Sequence, residues 1–297
     1  MDILNKKNLT LTVFTPTYNR AYILHKCYES LLRQTCKDFK WLVVDDGSTD
    51  NTKEIVQDWI DEGKIPISYF YQENQGMHDA HNAAYRLIDT ELNICIDSDD
   101  YMPDDAVEKI IKFWQAKGNE KYAGMVGLDI TAEGKIIGTP FPESLKETTL
   151  SDFYTRGGKG DKKLIYRTDV INSYPEYPIF KGEKFVPLDY KYLLVDQDYK
   201  LLTINEGLVV VEYMPDGSTK NIFKQYRKNP QGFAFARIAY IRYGKSFTGK
   251  LKNAIHLVSS AIFANDFKWM AKAKRPFLIL FAIPFGVLLN IYIRIKA

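Results

Sequence analysis

The sequence predicts an α/β fold built on a mostly parallel sheet. Strand-like apolar runs alternate with segments of helical period as far as about residue 113. Two of those runs stop abruptly at carboxylates: Leu42-Val43-Val44 at Asp45, and Ile94-Cys95-Ile96 at Asp97. Alternation of this kind is the βαβ pattern of a parallel sheet. Ligands of open α/β sheets bind beyond the carboxyl ends of the strands, so these acids are expected at the mouth of one crevice.

Taken in order, the pattern places strands at 10–15, 40–45, 66–71 and 92–97 and helices at 21–34, 50–61, 78–88 and 103–116. The first helix carries Ile23, Cys27, Leu31 and Leu32 at helical spacing. Asp50 and Asp104 read as helix caps. Segments 123–130 and 135–141 read as a hairpin over Glu133-Gly134, and "KLIYRTDVI" as a strand running into a helix start. "YPEYPIFKGEKF" reads as a loop, "DYKYLLVDQDY" as a helix and "KLLTINEGLVVVEY" as two short strands.

At 297 residues, 45% hydrophobic and 26% charged, the chain has ample material for one large domain and an appendage. Its net charge of +3 hides an asymmetry. Residues 218–297 hold 15 Lys and Arg against the single acid Asp266, while residues 1–217 hold 25 against 36 acids. A domain at 1–217 and a basic helical region at 218–297 follow, and the basic region suggests an anionic partner. Cys27, Cys36 and Cys95 show no metal spacing, and their odd number argues for a reducing cytoplasm rather than a disulfide framework. The start "MDILNKKNLTLTVF" carries no secretory signal.

Beyond residue 221 the pattern becomes helical, with basic residues on the polar side of "GFAFARIAYIRYG" and "KLKNAIHLVSSAIFAND". Phe277–Ile293 is a 17-residue stretch without a charge, flanked by Lys272, Lys274 and Arg275 and by Arg294 and Lys296. A spanning helix needs about 20 apolar residues. Pro284 and Gly286 also interrupt this one, so it reads as a monotopic or re-entrant anchor. Aromatic residues interleave the basic ones, but no nucleic-acid motif accompanies them.

Four fragments, "TVFTPTYNR", "VVDDGSTD", "NQGMHDAHNAA" and "IDSDDYMPDDA", stand in order across residues 10–105. Together they resemble the inverting family-2 glycosyltransferases of the GT-A (Rossmann-like) fold, and the likeness runs more loosely to about residue 221. This longer stretch is similar to bacterial enzymes that build surface polysaccharides on lipid-linked acceptors. The resemblance implies a nucleotide-sugar donor, a UDP sugar. Asp45 would accept a hydrogen bond from the uracil, and Thr15, Pro16, Tyr18 and Arg20 would line the nucleoside pocket. Asp97 would bind ribose or support a metal, and Asp99 would ligate Mg²⁺ or Mn²⁺ bridging the diphosphate. The carboxylates of Asp97-Ser98-Asp99 at i and i+2 are hard oxygen ligands suited to such a cation.

Gly76 would allow close backbone approach, and Asn82 would meet the donor from its helix. Met77 stands where the family often has Lys or Arg on the diphosphate. His78 or Arg86 would replace that cation only by facing the crevice. His81 reads as a helix-surface histidine. Inversion needs one general base beside the acceptor hydroxyl. Leu188 occupies the acid's place in the closest pattern, so the base falls to Asp189, which also reads as a helix cap; Glu183, Asp196 and Asp198 are rivals. Lys159, Asp161 and Lys163 lie where acceptor loops lie, and Gly157, Gly158 and Gly160 suggest a mobile lid.

The implied activity is metal-dependent transfer to a polyprenyl-diphosphate-linked glycan at the inner face of the cytoplasmic membrane. Teichoic acid or a protein side chain is the alternative acceptor. A membrane-associated nucleotide-sugar-binding protein without turnover is the alternative of another class.

Overall fold

The computed structural model describes residues 9–212 and 222–296. The expected domain boundary at 217/218 falls outside them. Eight strands form one sheet: β1 (Leu11–Thr17), β2 (Phe39–Asp45), β3 (Ile67–Tyr71), β4 (Leu92–Cys95), β5 (Tyr122–Ile130), β6 (Glu147–Thr148), β7 (Lys162–Arg167) and β8 (Lys200–Val210). Their order is β3-β2-β1-β4-β7-β5-β8-β6. The first four strands are parallel, and β7 enters antiparallel between β4 and β5. This is the mostly parallel GT-A-like sheet expected from the sequence.

Helices α1 (His25–Arg33), α2 (Thr52–Glu62), α3 (Met77–Leu87) and α4 (Ala106–Lys117) alternate with β1 to β5. β1 is buried along its whole length and β2 nearly so, because helices cover both faces. On one face Leu24 just before α1, Leu31 of α1 and Ile110 of α4 pack over Val13, Val43 and Ile94. On the other, Ala80, Ala84 and Tyr85 of α3 pack over Phe14, Val44 and Tyr166. The second face also receives α5 (Leu150–Thr155), α6 (Thr168–Asn172) and α7 (Asp189–Asp198).

Two expected elements differ. The hairpin partner of β5 is reduced to a single bridge, Ile130 to Ile136, around a turn where Gly134 takes φ +76°. The segment expected as two strands is the continuous β8, whose irregular register against β5 absorbs the apparent break.

The C-terminal region holds α8 (Ile222–Lys228), α9 (Pro230–Tyr243), α10 (Phe247–Ala264), α11 (Lys268–Lys272) and α12 (Pro276–Lys296). Contrary to expectation, Pro284 and Gly286 do not interrupt α12. A Cβ on Gly286 would come within 2.5 Å of Val258 Cβ, so glycine here lets α12 close onto α10. Ile279, Ala282, Gly286, Asn290 and Ile293 form the buried stripe of α12. Asn290 donates to the Ser259 carbonyl, and Arg294 donates to Asn290 Oδ1. Phe277, Leu280, Phe281, Leu288 and Ile295 on α12 are exposed.

Candidate active site

Strand order reverses at β1, which has β2 on one side and β4 on the other. A crevice opens at such a switch point, beyond the strand ends. Thr17, Asp45 and Tyr71 are in register at those ends.

At the β2 end the acids are bound into the scaffold. Asp45 is buried; its Oδ1 accepts from Ser48 N at 2.7 Å and its Oδ2 from the Tyr69 hydroxyl at 2.6 Å. A carboxylate accepts about four hydrogen bonds, so capacity remains for a base. Asp46, which the sequence did not single out, accepts from Gln72 Nε2, Gln75 N and Gly76 N and so holds the loop before α3. Burial raises its carboxyl, and these hydrogen bonds oppose the shift. Asn19 sits in the left-handed region at φ 52° and its Oδ1 accepts from Thr49 N, knitting the loops after β1 and β2 together. Asp50, expected as a cap, stands one residue before the N-cap Asn51 and accepts from Thr52 N at the start of α2.

Thr15 points away from the expected nucleoside pocket: its hydroxyl accepts from Trp41 Nε1 inside the core. Pro16 lies within β1 opposite Val44. Thr17, two residues on, has a buried hydroxyl with no partner among the described residues. Tyr18 is exposed at the rim, and Arg20 donates to the Tyr22 hydroxyl.

The β4 end is built differently. Asp97 and Asp99 are both half-buried in the turn after β4. Asp100 is buried and accepts from Glu212 N; burial raises its carboxyl to about 8, with Lys163 opposing and Asp97 and Asp99 adding to the shift. Asp100 is therefore a poor ligand near neutrality. No three His, Cys, Asp or Glu side chains among the described residues gather closely enough to hold a metal by themselves. Divalent cations of nucleotide sites take one or two carboxylates and complete their shell with phosphate oxygens. Asp97 and Asp99 are half-buried oxygen donors of the type such a cation takes.

Lys163 was expected in an acceptor loop. It lies on β7 instead, and its ammonium is 3.8 Å from Asp129 Oδ1. The expected lid at 155–161 is tied down: Lys162 Nζ donates to the carbonyls of Ile137, Lys159, Gly160 and Asp161, and Tyr154 donates to Gly160 O.

Three expectations for α3 are corrected. A Cβ on Gly76 would come within 2.0 Å of the Lys184 carbonyl, so this glycine admits the chain's own backbone. Both ends of the Asn82 amide bond the backbone of Tyr177 at 2.9 Å, and the residue is buried, so it is tied into the scaffold. His81 is buried rather than on the surface, with Nε2 3.7 Å from Cys95 Sγ, and burial lowers it to about 3. His78 is buried too, with neither ring nitrogen partnered among the described residues, and burial lowers its pKa. It cannot replace the missing cation at Met77 near neutrality. Arg86 is paired with Glu176 at the surface.

A cavity of about 160 Å³ opens between the sheet and helices α3 and α7, beside Asp97. Leu188 lines it, and Asp189 follows in the first turn of α7. Asp189 is exposed at the surface; crowding by neighbouring protein atoms raises its carboxyl, while Tyr240 and Arg237 of α9 lower it. The Tyr240 hydroxyl makes no well-formed hydrogen bond among the described residues. The rivals are engaged elsewhere. Glu183 accepts from Gln231 N and Gly232 N and caps α9. Asp196 accepts from Leu150 N and Ser151 N at α5, and Asp198 from the Tyr174 hydroxyl.

Residues 12–165 match the profile of Glycosyl transferase family 2. The GalNAc(5)-diNAcBac-PP-undecaprenol beta-1,3-glucosyltransferase of Campylobacter jejuni subsp. jejuni serotype O:2 is 33% identical over 119 residues, 39% of this chain and 37% of that protein. The chain's matches span between 14% and 41% of the lengths of such curated relatives. The crystal structure of S. aureus TarS 1-349 in complex with UDP-GlcNAc is similar over 94% of this chain and 80% of that one, at 17% identity and TM-score 0.61. The Pyrobaculum calidifontis mannosyltransferase PcManGT, solved with GDP-Man and Mn²⁺, is similar over 95% and 87%, at 16% identity and TM-score 0.57. With the profile match covering just over half of its residues, the chain belongs to glycosyl transferase family 2.

Proposed function

We propose that this chain is an inverting glycosyltransferase. It moves a sugar from a UDP donor to a hydroxyl of a polyprenyl-diphosphate-linked glycan, in bacterial surface-polysaccharide synthesis. The observation that carries the reading is the meeting of three features at one switch point: Asp45 beyond β2, Asp97 and Asp99 beyond β4, and a cavity between α3 and α7. A similar fold solved with UDP-GlcNAc and a relative named for an undecaprenol-linked substrate support the choice of donor and acceptor.

Asp45 and Thr17 orient the base, with Tyr18 and Arg20 at the rim. Asp97 and Asp99 would hold Mg²⁺ or Mn²⁺, which when bound supplies neutralisation of the departing diphosphate. Asp189 accepts the proton of the acceptor hydroxyl. The new C–O bond forms at the anomeric carbon as the bond to the diphosphate breaks on the opposite face, which inverts the centre.

α12 is long and apolar enough to cross a membrane, and 28% of its apolar window is buried. Its buried stripe runs along α10, a helix carrying Lys250 and Lys252, so a crossing would drag those charges into lipid. The helix pair therefore lies in the interface at the cytoplasmic face, with the exposed Phe277, Leu280 and Phe281 inserted.

The test is UDP release from a panel of UDP sugars by detergent-purified protein, with lipid-linked acceptor extract, in Mn²⁺ or chelator. Chelator-sensitive release from one donor is expected. Donor binding without release in any mixture would favour a sensor instead; neither binding nor release would end the reading.

A further inference from the structure

Along the sheet the order β2, β1, β4, β7 sets an order of subsites. With the base toward β2 and the phosphates at β4, as in the function proposed above, the strand order puts the transferred sugar toward β7. The cavity is there, lined among others by Met77, His81, Asp97, Lys163, Leu188 and Tyr192. Met77 and Leu188 are apolar, and His81 is neutral near pH 7.

Two lysines reach this cavity from adjacent positions on β7, and they differ. The Lys162 ammonium is engaged by four carbonyls. The Lys163 side chain is 13% exposed, and at 3.8 Å its ion pair with Asp129 is too long for a hydrogen bond. Asp129 is buried behind it, and its Oδ1 has no hydrogen-bond partner among the described residues. Burial works against the charge on Lys163, but Asp129 and then Asp97 favour the ammonium and outweigh it. At the cavity wall, with no hydrogen bond among the described residues, the ammonium has donors to spare for an acceptor from outside the protein.

We propose that Lys163 is a specificity-determining residue whose ammonium donates to an oxygen substituent of the transferred sugar. Asp129 is the positioning residue that aims it. This rests on the reading of a nucleotide-sugar donor. A site built to hydrogen-bond one substrate oxygen discriminates strongly against donors lacking it, because the buried donor is then left unpaired.

The test is calorimetric binding of UDP, UDP-glucose, UDP-galactose, UDP-N-acetylglucosamine and UDP-N-acetylgalactosamine to the full chain at saturating Mn²⁺. The quantity read is the ratio of each sugar donor's affinity to that of UDP. Lys163→Met should lower the ratio for the preferred donor about tenfold, the scale of one hydrogen bond to a charged group, and flatten the ranking of donors. Lys163→Arg should recover part of it. Asp129→Asn should lower it less.

Loss of the buried ion pair could unfold the single variants, so the neutral double variant Lys163→Met/Asp129→Asn is measured beside them and must show the same fall. An unchanged ratio in the folded variants overturns the proposal. So does a parallel fall for UDP and UDP sugars, which would mean that Lys163 reads the diphosphate. A wild-type chain that binds neither UDP nor any UDP sugar overturns the donor reading itself.

Discussion

The β2 and β4 ends of the crevice are built by opposite means. At β2 the acids are tied into the protein: Asp45, Asp46 and Asp50 all accept hydrogen bonds from neighbouring loops. At β4 and β7, Asp97 and Asp99 are half-buried, Asp129 lacks a hydrogen bond at Oδ1, and Lys163 has only a loose ion pair. The first arrangement fixes a shape. The second gathers acidic and basic side chains beside the cavity, where charge must develop, as electrostatic catalysis requires. One rigid end and one reactive end are what a donor with an inert base and a labile sugar needs.

The contrast can be broken by substitution. Asp189→Asn should cut turnover by about 10²–10⁴-fold with donor KM little changed, because only the proton acceptor is lost. In the wild type, turnover should fall as pH drops through the raised pKa of Asp189, at a higher pH than for an ordinary carboxylate. An acid limb in the ordinary carboxylate range would remove Asp189 from the role.

Asp99→Asn should cut turnover by about 10²–10³-fold and weaken Mn²⁺ binding in the presence of UDP, with the melting temperature unchanged. Full metal-dependent turnover by this variant would exclude Asp99 as a ligand.

Asn82→Ala belongs to the holding class and should cost about 1–3 kcal/mol of stability, because it orphans the N–H and C=O of Tyr177. Denaturant unfolding measures this. A folded, stable variant with donor affinity lost would show instead that Asn82 meets the donor.

Glu183→Ala should cost about 0.5–2 kcal/mol through the lost cap of α9, read by the same unfolding experiment. A loss of turnover without loss of stability would restore Glu183 as a candidate base.

Asp100 gives the effect that depends most on pH. Its carboxyl titrates near 3.8 when unfolded and at about 8 when folded. Between those values the folded chain binds the extra proton, so stability falls as pH rises through the window. Asp100→Asn should raise the melting temperature at pH 9 and not at pH 4, measured without divalent ions. Equal shifts at both pH values would contradict the assigned cause.

The legible parts of the sequence were those where local pattern and tertiary role coincide. β1 to β4 and α1 to α4 emerge within a few residues of expectation, because strands buried on both faces read as continuous apolar runs. The same continuity hid which hydroxyl is already used: nothing local marks Thr15 as bonded to Trp41 and Thr17 as the orphan. Asn82 was misread because its partner, Tyr177, lies 95 residues away in a loop without a periodic signal. Lys163 was misplaced because its neighbourhood depends on β7 inserting antiparallel beside β4, a pairing that no local spacing encodes. The left-handed Asn19 could have been suspected, since asparagine tolerates that conformation between a strand and a helix.

The most direct measurement is UDP binding to the full chain by calorimetry, with Mn²⁺ and with chelator, in the wild type and in Asp99→Asn. If the β4 end is where metal and diphosphate meet, chelator should weaken UDP binding to the wild type at least tenfold. Asp99→Asn should then bind weakly in both conditions. Equal UDP affinity in all four measurements would contradict the account.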